Sequence, residues 1–195
     1  MSLKELWALL GSDLARFEQT YKLRRQSFST FKVIMESLLF KPGFQGVLFY
    51  RVSHWLYKKG WLYSAWLLTR FSVAVTGAEI EFNALIGPGL FIAHPVGIVI
   101  GRGTVIGSQA TLFQGVTFGV KRWDPDSIHK FPKVGNCCTF FSHCTIVGEI
   151  SIGDYCVVGA NSLVDRDLPF GSLAVGVPAQ VYPNKGKDAT LVSIV

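Results

Sequence analysis

The 195-residue chain contains few charged side chains, since only 16% of its residues are Asp, Glu, Lys or Arg. Apolar residues make up 49%. This composition excludes an intrinsically disordered protein, because disordered chains combine low hydrophobicity with high charge. A chain of 21.5 kDa is long enough to bury a core. We therefore expect one domain, with or without a small appendage, and a large buried or subunit-facing surface.

Acidic residues are the scarcer charged type. The chain has 19 Lys and Arg against 13 Asp and Glu, which gives a formal net charge of +6. This mild basic bias suits an anionic small molecule as well as a nucleic acid, so it selects neither by itself.

The sequence lacks an apolar run of the kind that spans a membrane. Its longest stretch without a formal charge, residues 82 to 101, contains four glycines and two prolines. That content is typical of repeated turns rather than of a lipid-facing helix. The first ten residues include Lys4 and Glu5 within their apolar stretch, so no signal peptide is read there. These absences predict a cytoplasmic protein.

The spacing of a zinc site is also missing. None of the four cysteines forms the short-gap pair with neighbouring histidines that binds zinc. Cys138, Cys144 and Cys156 fall six or twelve residues apart, and six further residues lead to Ser162. We interpret these cysteines as reduced thiols that occupy one repeated position for small side chains in the core. No metal is predicted.

The N-terminal part of the chain, from Leu3 to Val75, has helical periodicity. The clearest helix lies between Gly43 and Gly60, where apolar residues recur at helical spacing after a proline and two lysines precede the final glycine. Three more helices are predicted over residues 3–23, 31–40 and 61–75. This part is rich in aromatic residues, which include Trp55, Tyr57, Trp61, Tyr63 and Trp66. Such residues usually pack against other helices or subunits, and a weak association with a membrane surface stays open.

From Glu79 onward an apolar residue recurs every six positions, and glycine often follows it. Thirteen residues keep this register: Ile80, Ile86, Ile92, Ile100, Ile106, Leu112, Phe118, Val134, Phe140, Ile146, Ile152, Val158 and Val164. One step of eight separates Ile92 from Ile100, and residues 120–133 leave the repeat. This period is typical of a chain that makes a short strand, turns a corner and repeats, with three hexads to a triangular coil.

The chain resembles the hexapeptide-repeat acyltransferases and, among them, the serine O-acetyltransferase branch. The residues that carry the likeness are the helix at 43–56 and the segments IGPGLFIAH at 86–94, GIVIG at 97–101, GVTFG at 115–119 and GVPA at 176–179. The resemblance covers about residues 42–182. It implies a left-handed parallel β-helix with an N-terminal α-helical subdomain.

The resemblance also predicts the organisation of the chain. We expect a helical subdomain over residues 1–76, a β-helix over 77–182 with an excursion loop at 120–133, and a C-terminal tail over 183–195. The β-helix is expected to form a homotrimer or a multiple of one, because its flat faces cannot cover their apolar area alone. The predicted reaction is O-acetyl transfer with acetyl-CoA as co-substrate, and no nucleic-acid partner is predicted.

Two residues are inserted between Ile92 and Ile100, and they place His94 in an irregular corner. An irregularity in an otherwise regular solenoid indicates a functional position. Acetyl transfer to a hydroxyl needs a base, and histidine suits that role near neutral pH. His94 is therefore the candidate base. Glu79 aligns with the aspartate of the family's Asp–His dyad and would orient the ring, with Glu81 as the alternative carboxylate.

The coenzyme-binding residues are taken from the resemblance alone. Gly119, Ser142 and Ala160 match the family's backbone positions against coenzyme A in the cleft between adjacent β-helices. His54 is interpreted as a packing or capping residue in its helix. His143 lies within the second run of repeats, where its side chain could face a groove.

The acceptor prediction depends on two family contacts that this chain lacks. The family's serine-binding acidic residue aligns near Phe28, and its Arg-His-Pro-Lys segment reads Lys130-Phe131-Pro132-Lys133 here. A zwitterionic amino acid would lose partners for both charges. The expected acceptor is therefore a hydroxyl group of a sugar in a cell-surface polysaccharide, and Lys130 and Phe131 are expected to bind that sugar. Serine acetylation in cysteine biosynthesis and a non-catalytic oligomeric scaffold are the alternatives.

Overall fold

A computed structural model describes residues 1–23, 30–122, 125 and 130–188. Four α-helices come first: α1 (Leu3–Leu23), α2 (Thr30–Phe40), α3 (Pro42–Lys58) and α4 (Leu62–Thr76). The strands of the described part follow: β1 (Glu79–Ile80), β2 (Leu85–Ile86), β3 (Phe91–Ile92), β4 (Val99–Ile100), β5 (Val105–Ile106), β6 (Thr111–Leu112), β7 (Thr117–Gly119), β8 (Lys133–Val134), β9 (Thr139–Phe140), β10 (Thr145–Val147), β11 (Ser151–Ile152), β12 (Val157–Val158), β13 (Leu163–Val164), β14 (Leu173–Val175) and β15 (Gln180–Tyr182).

The helices begin and end close to their predicted positions. α1 spans the predicted residues 3–23, and α2 and α4 differ from prediction by one residue at their ends. Pro42 lies in the first turn of α3, where its missing N–H has no helical partner to lose. Gly77 directly follows α4, and its φ of 74° is the left-handed conformation that glycine adopts at a helix C-terminus.

Up to β13, every third strand pairs in parallel, so the chain winds as a triangular coil with three faces. The first sheet contains β1, β4, β7, β10 and β13; the second contains β2, β5, β8 and β11; the third contains β3, β6, β9, β12, β14 and β15. The last pair, β14 with β15, is antiparallel and ends the ladder. The predicted left-handed parallel β-helix with N-terminal helices is confirmed.

The repeat residues build the core. All thirteen lie in β1 to β13, and none is more than 7% exposed. The position two residues before each repeat residue also points inward. Its occupants include Cys138, Cys144 and Cys156, each 0% exposed, and Ser162 at 1%. The thiols therefore occupy the small-residue position predicted for them, and they are not joined in disulfides.

Neither irregularity of the repeat interrupts the ladder of parallel strands. Val99 pairs with Thr117, and the segment between them makes one regular coil of three hexads. Glu79 pairs with Val99 across a slightly longer coil, which contains the insertion near His94. Thr117 pairs with Thr145 across the longest of these coils, and the extra chain belongs to the excursion loop.

Helices cover the start of the third sheet. The ring of Phe17 lies 4.7 Å from that of Phe91, and Arg16 donates a hydrogen bond of 3.0 Å to the hydroxyl of Thr111. The outward residues of the first sheet, by contrast, remain accessible, and Val99 is 38% exposed. No helix within the described residues has both the length and the apolar character needed to cross a bilayer.

Candidate active site

The edge between the third and first sheets carries the predicted base, and we call it the His94 edge. The pairings of Ile92 with Leu112, Leu112 with Phe140 and Phe140 with Val158 align the coils there. Two residues beyond each partner, the corner positions are His94, Gln114, Ser142 and Ala160. Adjacent strands lie about 4.8 Å apart, so His94 and Ala160 are separated by three steps, or about 14 Å.

The predicted base, His94, is accessible from outside the β-helix. It follows β3 in the enlarged corner, and its side chain is exposed. Its ring makes no hydrogen bond to any residue in the described part of the chain. The ring nitrogens of His94 are therefore available to a molecule that binds at the His94 edge.

Glu79 lies in β1, which pairs with β4, the strand that follows His94. Its carboxylate Oε1 accepts a hydrogen bond from Nη2 of Arg70, which reaches it from α4. Both side chains are partly exposed, at 40% for Arg70 and 37% for Glu79. The structure thus places Glu79 on the coil of His94 but pairs its carboxylate with Arg70, and no hydrogen bond joins Glu79 to His94 within the described residues. Sequence analysis missed Arg70, which lies in a helix with no recognisable motif.

The remaining predicted residues lie on a different edge, between the first and second sheets, which we call the Gly119 edge. Gly119 ends β7, and the space where a Cβ would project from it is open. Phe131 is only 7% exposed, and its ring packs against Gly101 and Gly103, so a Cβ on Gly101 would approach its Cε1 to 2.4 Å. Lys130 is exposed. Within one protomer, the first sheet separates these residues from His94.

The start of the excursion loop is fixed to the Gly119 edge by an ion pair. Nζ of Lys121 lies 2.9 Å from Oδ2 of Asp165. The hydrogen bond from Lys121 holds the pKa of Asp165 below its ordinary value. Trp123 and His129 in this loop, and Phe28 in the helical part, lie outside the described residues.

An open groove of about 930 Å³ lies at the C-terminal end of the β-helix. It is lined by the GVPA segment at 176–179 and by Arg166. Sequence analysis quoted the segment but missed Arg166, because a single arginine just after the last repeat position forms no motif. The guanidinium of Arg166 is largely exposed, and its Nε lies 3.4 Å from Oδ1 of Asp165.

His54 has the packing role predicted for it. Its Nδ1 lies 2.7 Å from the carbonyl oxygen of Phe82, and because a carbonyl only accepts, Nδ1 carries the proton. Burial lowers the pKa of His54. Across the described ranges, no group of three or more His, Cys, Asp or Glu side chains is arranged to hold a metal ion.

Comparisons with known proteins identify relatives along most of the chain, although no protein-family model matches it. It is 40% identical over 145 residues to a serine acetyltransferase of Helicobacter pylori, which covers 74% of this chain and 84% of the relative. It is 36% identical over 152 residues to the serine acetyltransferase of Synechococcus elongatus, and here it spans only 62% of the relative's length.

Solved structures that resemble this chain are also serine acetyltransferases. The serine acetyltransferase of Neisseria gonorrhoeae superposes with a TM-score of 0.81 and 28% identity over 93% of this chain and 67% of that one. A serine acetyltransferase in complex with CoA superposes with a TM-score of 0.80 and 26% identity over 92% of this chain and 71% of that one.

The prediction of a sugar acceptor is wrong, because these relatives are serine acetyltransferases. The error came from treating the loss of two contacts as the loss of the amino-acid site. A lysine still provides a cation at position 130, and side chains elsewhere can supply the other charge. The chain belongs to the serine acetyltransferase family.

Proposed function

We propose that this protein is a serine O-acetyltransferase of cysteine biosynthesis, which moves an acetyl group from acetyl-CoA to the hydroxyl of serine. The observation that carries this proposal is the 40% identity to a serine acetyltransferase across 84% of that relative's length. The CoA complex among the similar structures supports acetyl-CoA as the donor. Because acetyl-CoA is a cytoplasmic metabolite, we place the reaction in the cytoplasm.

His94 acts as the general base in this proposal. Its ring removes the proton of the serine hydroxyl while the oxygen attacks the thioester carbonyl. The C–S bond then breaks, and the proton passes from His94 to the departing thiolate of coenzyme A. The exposure of His94 and its lack of a hydrogen-bond partner among the described residues support this role, since its ring nitrogens are available to substrate.

Glu79 sets the tautomer of His94 and stabilises the imidazolium that forms during transfer. Its position in β1, which lies on the coil of His94 and pairs with the strand that follows His94, supports this assignment. Arg70 restrains the carboxylate through one oxygen, Oε1, and leaves Oε2 for the ring. Arg70 is therefore a positioning residue for Glu79.

The coenzyme lies between two protomers. Ser142 and Ala160 present their backbone on the His94 edge, while Gly119 lies on the Gly119 edge, so the three predicted contacts cannot meet on one subunit. They meet when the His94 edge of one protomer faces the Gly119 edge of its neighbour. This arrangement arises if the first sheets of three protomers surround a three-fold axis.

The chemistry of the first sheet supports a trimer of this kind. Apart from Glu79, its outward residues at the paired positions are uncharged: Val99, Thr117, Thr145 and Leu163. The third sheet is partly covered by helices, so it is less suited to contact another subunit. In the trimer, Lys130 from the neighbour's Gly119 edge would bind the carboxylate of serine, and buried Phe131 would hold Lys130 in place.

Release of free thiol from acetyl-CoA tests the proposed function. We expect serine to support turnover, and threonine and a panel of monosaccharides to support at least tenfold less, a difference of about 1.4 kcal/mol in transition-state free energy. Growth of a serine-acetyltransferase-deficient cysteine auxotroph should be restored by the chain. Absence of thiol release with serine, or of binding to coenzyme A, would contradict the proposal.

A further inference from the structure

His143 has a left-handed backbone conformation, which residues other than glycine and asparagine rarely adopt. It lies on the His94 edge directly after Ser142, with a φ of 60°. The corresponding corner residues of neighbouring coils are Gly97, Gly115 and Asn161, with φ values of 75°, 69° and 55°. A histidine therefore occupies a position where the backbone favours glycine.

The ring of His143 is folded back along the edge toward the coils that precede it. A Cβ built on Gly115 would approach its Nδ1 to 2.1 Å, so the imidazole fills the space of the missing side chain. Gly115 in turn lies over Gly97, where a Cβ would approach the Cα of Gly115 to 3.5 Å. These two glycines, which we call the glycine floor, line the corner between His143 and the coil of His94.

The imidazole also lacks a polar partner. His143 is exposed, and its ring makes no hydrogen bond to the residues that the structure describes. Its main-chain N–H, by contrast, donates to the carbonyl of Gln114 at 2.8 Å. A neutral imidazole has one donor and one acceptor nitrogen, which together match the N–H and C=O groups of an amide.

We propose that His143 binds the pantetheine arm of acetyl-CoA through a hydrogen bond to one of its amides and so sets how far the thioester reaches toward His94. This inference rests on the proposed function. The coils of His143 and Gly97 are two strand spacings apart, about 10 Å. A pantetheine arm that lies along the glycine floor therefore passes His143 before its thioester reaches His94. Ser142, the adjacent residue, was matched to the coenzyme by resemblance, whereas this side chain was not.

Gln109 provides a matched control. It has the same φ of 60°, and its side chain covers Gly89 as His143 covers Gly115. It lies between β5 and β6, on the edge between the second and third sheets and away from His94. Gln109→Gly and His143→Gly therefore relieve the same backbone strain, and only the second removes a group from the His94 edge.

The test compares His143→Gly, His143→Asn and Gln109→Gly with the wild-type trimer. We expect both glycine variants to remain folded, with unfolding midpoints no lower than that of the wild type. His143→Gly should weaken the Kd for coenzyme A by calorimetry about three- to tenfold, as for the loss of one hydrogen bond. Gln109→Gly should leave this Kd unchanged, and His143→Asn, which keeps a donor and an acceptor, should recover most of the affinity.

Kinetics with acetyl-pantetheine as the acetyl donor show which part of the coenzyme His143 contacts. The KM of His143→Gly should rise by the same factor with acetyl-pantetheine as with acetyl-CoA, because the proposed contact is to the shared arm. A rise with acetyl-CoA alone would place His143 at the nucleotide and overturn the inference. Wild-type affinity in His143→Gly would show that histidine is merely tolerated at this corner. A wild-type protein that binds no coenzyme A would overturn the proposed function as well.

Discussion

Arg51 and Asp13 form a buried two-point ion pair that ties α1 and α3 to the first coil of the β-helix. Nε and Nη2 of Arg51 lie 2.8 Å and 3.1 Å from the carboxylate oxygens of Asp13, and the two residues are 2% and 0% exposed. Arg51 also donates to the carbonyls of Ile86 and Gly87, and Asp13 accepts from the N–H of Leu90. Hydrogen bonds thus compensate for the loss of water around both charges.

Replacing Arg51 with methionine should destabilise the fold by about 3–5 kcal/mol, because it leaves the carboxylate of Asp13 buried without its cation. The free energy of unfolding in urea measures the effect. Lys58→Met on the same helix removes an exposed cation and should change stability by less than about 0.5 kcal/mol. The double variant Asp13→Leu/Arg51→Met should regain part of the loss. Equal stability of Arg51→Met and the wild type would show that the pair contributes nothing.

His94→Ala should lower turnover roughly 10²–10⁴-fold, the usual contribution of a positioned base. The protein should remain an oligomer and should keep its affinity for coenzyme A, because the proposed contacts at Ser142 and Ala160 involve backbone rather than the ring of His94. Thiol release gives the rate, and calorimetry gives the binding constant. A rate near that of the wild type would remove His94 from the mechanism.

Glu79→Gln should reduce kcat less than His94→Ala does, since the amide can contact the ring but cannot stabilise the imidazolium. Arg70→Met should also lower kcat, because Glu79 loses the guanidinium that restrains it, while the KM for acetyl-CoA stays the same. Steady-state kinetics with serine check both. An unaltered kcat in Glu79→Gln would leave Glu79 as a structural partner of Arg70 and make Glu81 the next carboxylate to replace.

Cys137 should be the one thiol that reacts rapidly with a disulfide reagent in the folded protein. Its side chain is partly exposed, whereas Cys138, Cys144 and Cys156 are 0% exposed. A hydrogen bond from Cys138 lowers the pKa of Cys156 to about 7, but burial keeps the reagent away from this thiol. Four thiols should react after denaturation, and Cys137→Ser should abolish the rapid phase. Rapid labelling of Cys156 would show that the coils open easily.

The mass in solution should be three times 21.5 kDa or a multiple of it. Val99→Glu should dissociate the proposed trimer and abolish turnover, because it adds a charge to the outward face of the first sheet. Leu85→Glu is the control, since Leu85 is 48% exposed on the second sheet and should leave the mass unchanged. Light scattering measures both. Dissociation by Leu85→Glu but not by Val99→Glu would assign the contact to the second sheet.

The sequence by itself determined the β-helix and the four helices. The thirteen repeat residues identify β1 to β13, because a buried side chain every six residues is a local property of this coil. α1 could be predicted to its end residues for the same reason, since helical periodicity depends on near neighbours. The enlarged corner that holds His94 was visible as a step of eight residues in that period.

Only the tertiary structure decided which distant side chains meet. Arg70 with Glu79, Arg51 with Asp13 and the ring of His143 over Gly115 each join different elements or coils, and no local pattern encodes them. The separation of Phe131 from His94 likewise follows from the winding of the coil, which assigns each corner to one of three edges. The acceptor was mispredicted because absent contacts were read at single positions, while a binding site depends on all the side chains that the fold and its oligomer bring together.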